Sequence, residues 1–181
     1  QKAIKNVDSS LNALFSREYG EKKSAGFKII DENMEKIASI DLSVRGNEYS
    51  EPYISYINNV TIRGASITKM MSDKLYATSG RGICRRVKDL LDIYVMSYLS
   101  EFLTIEIYDI WENTGRTPDA FEQFRNEREE IEKAYVKMKG VINKPEFDDL
   151  YERLSIFLTP FFEPEKKLSA VWKGVDWEYA E

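Results

Sequence analysis

The chain has 181 residues, 43% hydrophobic and 31% charged, with a formal net charge of −5. That is enough apolar material for one domain, or a small domain with an appendage, and it is not the composition of a polycation that coats nucleic acid. With no histidine and a single cysteine, Cys84, these residues exclude Ser-His-Asp and Cys-His catalysis, an internal disulfide, and zinc sites built on imidazole or several thiolates.

Helix signals and strand signals alternate at first. Residues Lys2 to Phe15 are predicted as a helix with Ile4, Leu11, Leu14 and Phe15 apolar. A polar, glycine-containing loop covers Glu18 to Gly26, and Phe27 to Ile30 is a short strand. Ile37 to Arg45 is the clearest strand: Ile40, Leu42 and Val44 share one face, and Ser39, Asp41, Ser43 and Arg45 the other. Tyr53–Tyr56 and Val60–Arg63 are further strand candidates around an Asn58-Asn59 turn.

After Gly64 the apolar period changes from two to about 3.6. Ser66 caps a helix from Ile67 to Ser79 that stops at Gly80, and a second helix covers Ile83 to Leu99. Ile105 to Asn113 suits strand or helix; helix is preferred, with Thr104 as cap and Gly115 as terminator. Thr117-Pro118 opens a helix to Lys139 with Phe121, Phe124, Ile131 and Met138 on its inner stripe. Pro145 opens the last, using Phe147, Leu150, Tyr151, Leu154 and Phe157, and Pro160 and Pro164 end it. Trp172 and Trp177 are expected to be packed anchors. The expected organisation is α+β: a small unit over 1–65, then an all-helical unit over 66–181.

No run of about 18 apolar residues exists within residues 1–181 to span a bilayer, and no basic start followed by an apolar stretch is read in these residues as a secretory leader. The lone cysteine suits a reducing compartment, so a cytoplasmic protein without a membrane partner is expected. Any metal would be held by carboxylate oxygens, which favours Mg²⁺ or Mn²⁺. Residue 1 is Gln rather than Met, and the expectation is that the chain begins inside a longer gene product.

Three places could carry chemistry. Asp41 sits in mid-strand, where a carboxylate is disfavoured; it is either solvated on an open sheet face or a metal-binding or general-base group. On the Ile67–Ser79 helix, Met70, Met71, Lys74, Leu75 and Thr78 fall in one arc with Lys74 near its middle, while Lys69 and Asp73 lie opposite. Lys74 must therefore snorkel, pair, or meet a ligand such as phosphate; Lys69 reads as solvated. On the next helix Val87, Leu90, Leu91, Tyr94, Val95 and Tyr98 form a core face, flanked by Arg85, Lys88, Asp89 and Asp92, with Ile93 and Met96 beyond. The Arg85–Asp89 and Lys88–Asp92 pairs would run cation first, the weaker i,i+4 order. The acidic run Glu127, Glu129, Glu130, Glu132 reads as a solvated helix face.

At these residues the sequence resembles the AbiEii/AbiGii nucleotidyltransferase family, the toxin halves of abortive-infection toxin–antitoxin pairs. The matching words are Ser72-Asp73-Lys74-Leu75-Tyr76-Ala77, a Gly/Arg turn, and Arg86-Val87-Lys88-Asp89-Leu90-Leu91-Asp92-Ile93-Tyr94. Ile40-Asp41-Leu42, Lys144-Pro145-x-Phe147 and Phe157-Leu158-x-Pro160 fit in the same order. The resemblance implies a partial polymerase-beta-like nucleotidyltransferase core followed by a helical C-terminal domain. It places Asp41 as the third metal carboxylate, Lys74 at the triphosphate and Asp89 as the helical acidic residue, with Arg86 and Asp92 in support. A nucleoside triphosphate substrate, Mg²⁺, an RNA acceptor such as tRNA, a cognate antitoxin and a role in phage resistance follow from the same resemblance. The family's Gly-Ser loop with Asp-x-Asp is absent from residues 1–181, so the expectation is an N-terminally shortened chain, inactive as it stands, with a degenerate relative lacking the motif altogether as the alternative. The alternative reading is a non-catalytic helical module that binds protein or RNA through Arg81, Arg85, Arg86 and Lys88.

Overall fold

The computed structural model describes residues 2–19, 24–43, 48–54 and 59–180. The fold is mixed α+β with small antiparallel sheets, in two compact units, residues 1–48 and 49–181.

In the first unit a short helix α1 (Lys2–Val7) precedes three strands, β1 (Asn12–Tyr19), β2 (Ser24–Ile30) and β3 (Lys36–Ser43), paired antiparallel in that order. The helix expected to reach Phe15 stops at Val7. Asp8 ends it, because its carboxylate accepts from the Ser10 amide (2.9 Å) and hydroxyl (2.6 Å), a local turn that competes with helical hydrogen bonding. Leu14 and Phe15 then pair with β2, and Phe15 meets Phe27 edge to face at 5.9 Å. The β2–β3 turn is closed by Asp31, which accepts from the Asn33 and Glu35 amides. On β3, Ile40 is half-buried but Leu42 is exposed; Val44, Arg45 and Asn58 lie outside the described residues.

The second unit opens with a hairpin, β4 (Ser50–Ile54) and β5 (Thr61–Ala65). The expected boundary at residue 65 falls after this hairpin, whereas the units divide before it. The Ser66 amide donates to the Tyr49 carbonyl (2.8 Å), and Asn113 donates to the Tyr49 hydroxyl (3.1 Å), so the base of the hairpin is fastened to the helical part of the unit. Next come α2 (Ile67–Ser79), a 3-10 turn at Ile83–Arg85, α3 (Val87–Leu99), β6 (Phe102–Leu103) and α4 (Thr104–Asn113). Then come α5 (Glu122–Asn126), α6 (Arg128–Val136), α7 (Phe147–Phe157), 3-10 turns at Thr159–Phe161 and Pro164–Lys166, β7 (Ala170–Trp172) and β8 (Trp177–Tyr179).

Ser66 caps α2 as its residue type predicts, accepting from the Lys69 amide. Three other expectations need correction. The unit is not all-helical, because β6, β7 and β8 form a sheet. Thr104 does not cap α4; its hydroxyl donates to the Leu168 carbonyl and accepts from the Ala170 amide, joining the start of α4 to β7. No helix starts at Thr117-Pro118, and the single helix to Lys139 is instead α5 and α6. Residues 117–121 run along the end of α2, with the Asp119 amide on the Ser79 hydroxyl and the Phe121 amide on the Ser79 carbonyl. Phe121 adopts φ +55 there while its ring is wholly buried, so core packing fixes a backbone conformation that propensity disfavours.

The core of this unit is aromatic. Phe157 touches Phe102, Phe161, Trp172 and Trp177, and both tryptophans are the anchors expected. Against them lies a buried cation. Arg153 donates to the Ser97 hydroxyl and carbonyl and to the Gly174 carbonyl, and its guanidinium stacks on Tyr98 (3.8 Å) and Trp172 (4.7 Å). The core face of α3 is accordingly turned from the expected one: Ile93 and Met96 are buried, while Val95 and Tyr98 are exposed.

Candidate functional site

Helices α2 and α3 carry the charged residues that the sequence singles out. Met71 and Leu75 drive α2 into the core. Lys74 lies at the border of that stripe rather than in its middle, since Met70 is exposed and Ser72 and Thr78 are buried. On α3, Val87, Leu90 and Leu91 are buried, and Asp89 and Asp92, three residues apart, share a face. Gly82, at φ +93, turns the chain between the helices in a conformation that costs glycine little.

Beside that shared apolar core, one lysine joins the charged faces of the two helices. Lys74 Nζ donates to Asp89 Oδ1 at 2.9 Å and to Asp92 Oδ2 at 2.5 Å. Arg86 Nη1 stands 3.6 Å from Asp89 Oδ2. The expected Arg85–Asp89 and Lys88–Asp92 pairs are not the ones formed among the described residues, because Lys74 reaches both carboxylates from the neighbouring helix. Burial works against the Lys74 ammonium, but hydrogen bonds to Asp92 and Asp89 outweigh it and hold the group above the usual lysine range. Two cations thus face two carboxylates. A lysine so held keeps one N–H for a further acceptor, and Arg86 remains largely exposed beside it.

Lys69 is not merely solvated. It bonds Asp73 at 2.5 Å, Arg116 joins Asp73 from beyond α4, and the Arg116 guanidinium lies over Tyr76 at 5.1 Å. Burial alone would raise the Asp73 pKa; Lys69 and Arg116 lower it. Sequence reading missed this cluster, for Arg116 is distant in the chain and nothing local announces it. The acidic run on α6 is largely exposed, as expected. Arg81, Arg85, Arg86 and Lys88 are all exposed.

Asp41 belongs to the other unit. Its carboxylate meets Arg17 Nη2 at 3.5 Å, both side chains more than half exposed. Register explains the pair: Gly26 stands between Arg17 on β1 and Asp41 on β3. A Cβ on Gly26 would come within 2.8 Å of Asp41 Oδ1 and 3.0 Å of Arg17 Cγ. The donor sets do not fit a divalent metal: Arg17 occupies the Asp41 carboxylate, Lys74 spans Asp89 and Asp92, and no group of three or more Asp, Glu or Cys residues is placed for one among the described residues. No helix among those residues is long and apolar enough to cross a membrane. Set against protein-family models, curated proteins and solved structures, the chain matches none.

Proposed function

We propose that this chain carries the lysine-bearing helical part of a nucleotidyltransferase-like toxin of the abortive-infection type, with Lys74 and Arg86 as its phosphate-facing cations. Asp89 and Asp92 would act as positioning residues that hold Lys74 between α2 and α3. The observation that supports this is the bridge itself: the residues carrying the family resemblance, fifteen or more apart in sequence, converge on one ammonium. The described carboxylates do not assemble a metal site; an RNA acceptor and a cognate antitoxin would follow from the resemblance alone.

Thermal melting with each nucleoside triphosphate tests it. A ligand at a hundred times its Kd stabilises by about 2.7 kcal/mol, a readily measured rise in Tm. The rise should vanish in Lys74→Ala and shrink in Arg86→Ala. A flat response to all four nucleotides rejects the reading. The second reading, a binding module for RNA or protein, is favoured by the exposure of Arg81, Arg85, Arg86 and Lys88. Its signature would be salt-sensitive RNA binding that needs no nucleotide and survives Lys74→Ala.

A further inference from the structure

We infer that Arg153 anchors a partner protein, through a segment that presents an aspartate or glutamate carboxylate between apolar side chains and lies across the outer face of α3. Arg153 is on α7 with only 7% of its surface exposed, and its charge is permanent. Among the described residues no carboxylate pairs with it; its acceptors are the Ser97 hydroxyl and the Ser97 and Gly174 carbonyls. Those bonds use Nε and Nη2, one edge of the planar guanidinium. Nη1 keeps its N–H groups without a partner among the described residues, yet it is not sealed in the core, where Ser72 Oγ is the unpartnered side-chain atom. Nη1 therefore reaches the surface. Burial pushes the Arg153 pKa down, and the groups that oppose this are the Tyr98 and Tyr94 hydroxyls, which are uncharged near neutral pH. A buried cation without an opposite charge is costly. A carboxylate arriving at Nη1 would supply that charge and a charge-assisted hydrogen bond.

The surroundings of that edge are apolar and open. Tyr98, whose ring covers the guanidinium at 3.8 Å, is itself exposed, as are Val95 and Leu99. Spacings of three and four residues put these side chains on one face of α3. Val175, next to the Gly174 acceptor, is exposed as well. Exposed apolar side chains thus come from α3 and from the β7–β8 turn, an extent that suits a protein segment better than a small acid. Exposed apolar patches of this kind mark interaction surfaces, and arginine, tyrosine and tryptophan are the residues enriched where interfaces bind most strongly. The anchor is also ordered in advance. Three hydrogen bonds fix the guanidinium, Trp172 lies 4.7 Å from it, and Tyr94 meets Tyr98 edge to face at 5.2 Å. Little side-chain freedom is left to lose on binding. Asp149, one turn earlier on α7, acts on Tyr94 and forms no ion pair with Arg153 among the described residues. Lys74 meets α3 through Asp89 and Asp92, toward its other end, so the two sites are tested separately.

Peptides from a displayed random library would be selected on the full chain, and the best binders remade with both ends blocked. The expected binders carry one acidic residue flanked by apolar ones and shift the Arg153 side-chain NMR signals saturably. Replacing that acid by its amide should weaken binding by roughly tenfold or more. The Val95→Glu, Leu99→Glu double variant should lose the peptide, and because both positions are exposed it should keep its melting temperature. Arg153→Lys, checked for folding by tryptophan fluorescence, keeps the charge without the fork and should also bind weakly. Failure to select such peptides overturns the proposal, as does equal affinity of the amide version or unchanged binding to the double variant. Two other occupants would overturn it in recognisable ways. Glutarate alone, shifting Arg153 saturably in both the parent chain and the double variant, marks a small-acid site. Dimerisation that the double variant abolishes, seen by sedimentation, marks a second copy of this chain.

Discussion

Replacing Lys74 by Met keeps the apolar stem and removes the charge that spans α2 and α3. The loss can be sized from its two partners. Asp89 is 20% exposed and accepts at 2.9 Å, and a hydrogen bond between charged, part-buried groups is worth roughly 1.5–3 kcal/mol. Asp92 is 51% exposed, so screening leaves that bond below about 1 kcal/mol. Lys74 is itself a quarter exposed, which favours the lower end; the expected cost is about 2 kcal/mol. Urea unfolding followed by tryptophan fluorescence measures it cleanly, because Trp111, Trp172 and Trp177 all lie in the second unit and are buried. The midpoint should fall with an unchanged slope. A cycle with Asp89→Asn should show coupling, the double variant losing less than the sum of the single ones. A cost under about 0.5 kcal/mol, or strict additivity, would refute the view that this bridge joins the helices.

Arg153→Met should cost about 2–3 kcal/mol, since it removes the guanidinium donors to the Ser97 hydroxyl and to the Ser97 and Gly174 carbonyls in a buried setting, while Trp172 Nε1 still reaches the Ser97 carbonyl; the same fluorescence titration reads it. Asp73, held low, stabilises the fold above the unfolded aspartate value of 3.8 and loses that contribution as pH falls through its lower folded value. Stability measured down the acid limb should therefore decline less steeply in Asp73→Asn. Lys74, held high, works in the opposite sense: its contribution is complete below 10.5 and lost as pH rises through the higher folded value, and Lys74→Met should flatten the alkaline limb. Gly26→Ala should displace the Arg17–Asp41 pair at a cost under about 1 kcal/mol, as the side chains are exposed and flexible; faster amide exchange in β2 would report it.

Helices with a clear apolar period were readable from sequence: α2, which Ser66 also caps, and α7 with Phe147, Leu150, Leu154 and Phe157 all buried. The failures have physical sources. Leu11, Leu14 and Phe15 fit a helical period, yet the Asp8 turn and pairing with β2 decided for strand. Thr117-Pro118 has the order of a helix start, but docking on Ser79 delayed the helix to Glu122. The charges on α2 and α3 were visible in the sequence, and their partners were not. Spacing suggested pairs within α3, whereas the carboxylates turn to a lysine on α2. Arg153 gave no warning, because its acceptors are carbonyls and rings that only the tertiary fold assembles.

The pairing of β6 with β7 joins Phe102 to Trp172, and β8 brings Trp177 onto Phe157. The middle of the second unit is therefore roofed by its last strands. During synthesis, helices α2 to α7 leave the ribosome before the residues that cover Phe157 and hold Arg153 through Gly174. Until that hairpin emerges, the nascent unit leaves Phe157 without its tryptophan cover and the Arg153 guanidinium without its Gly174 acceptor. Any message cut short before the codon for Trp172 yields a product that proteases should find easily.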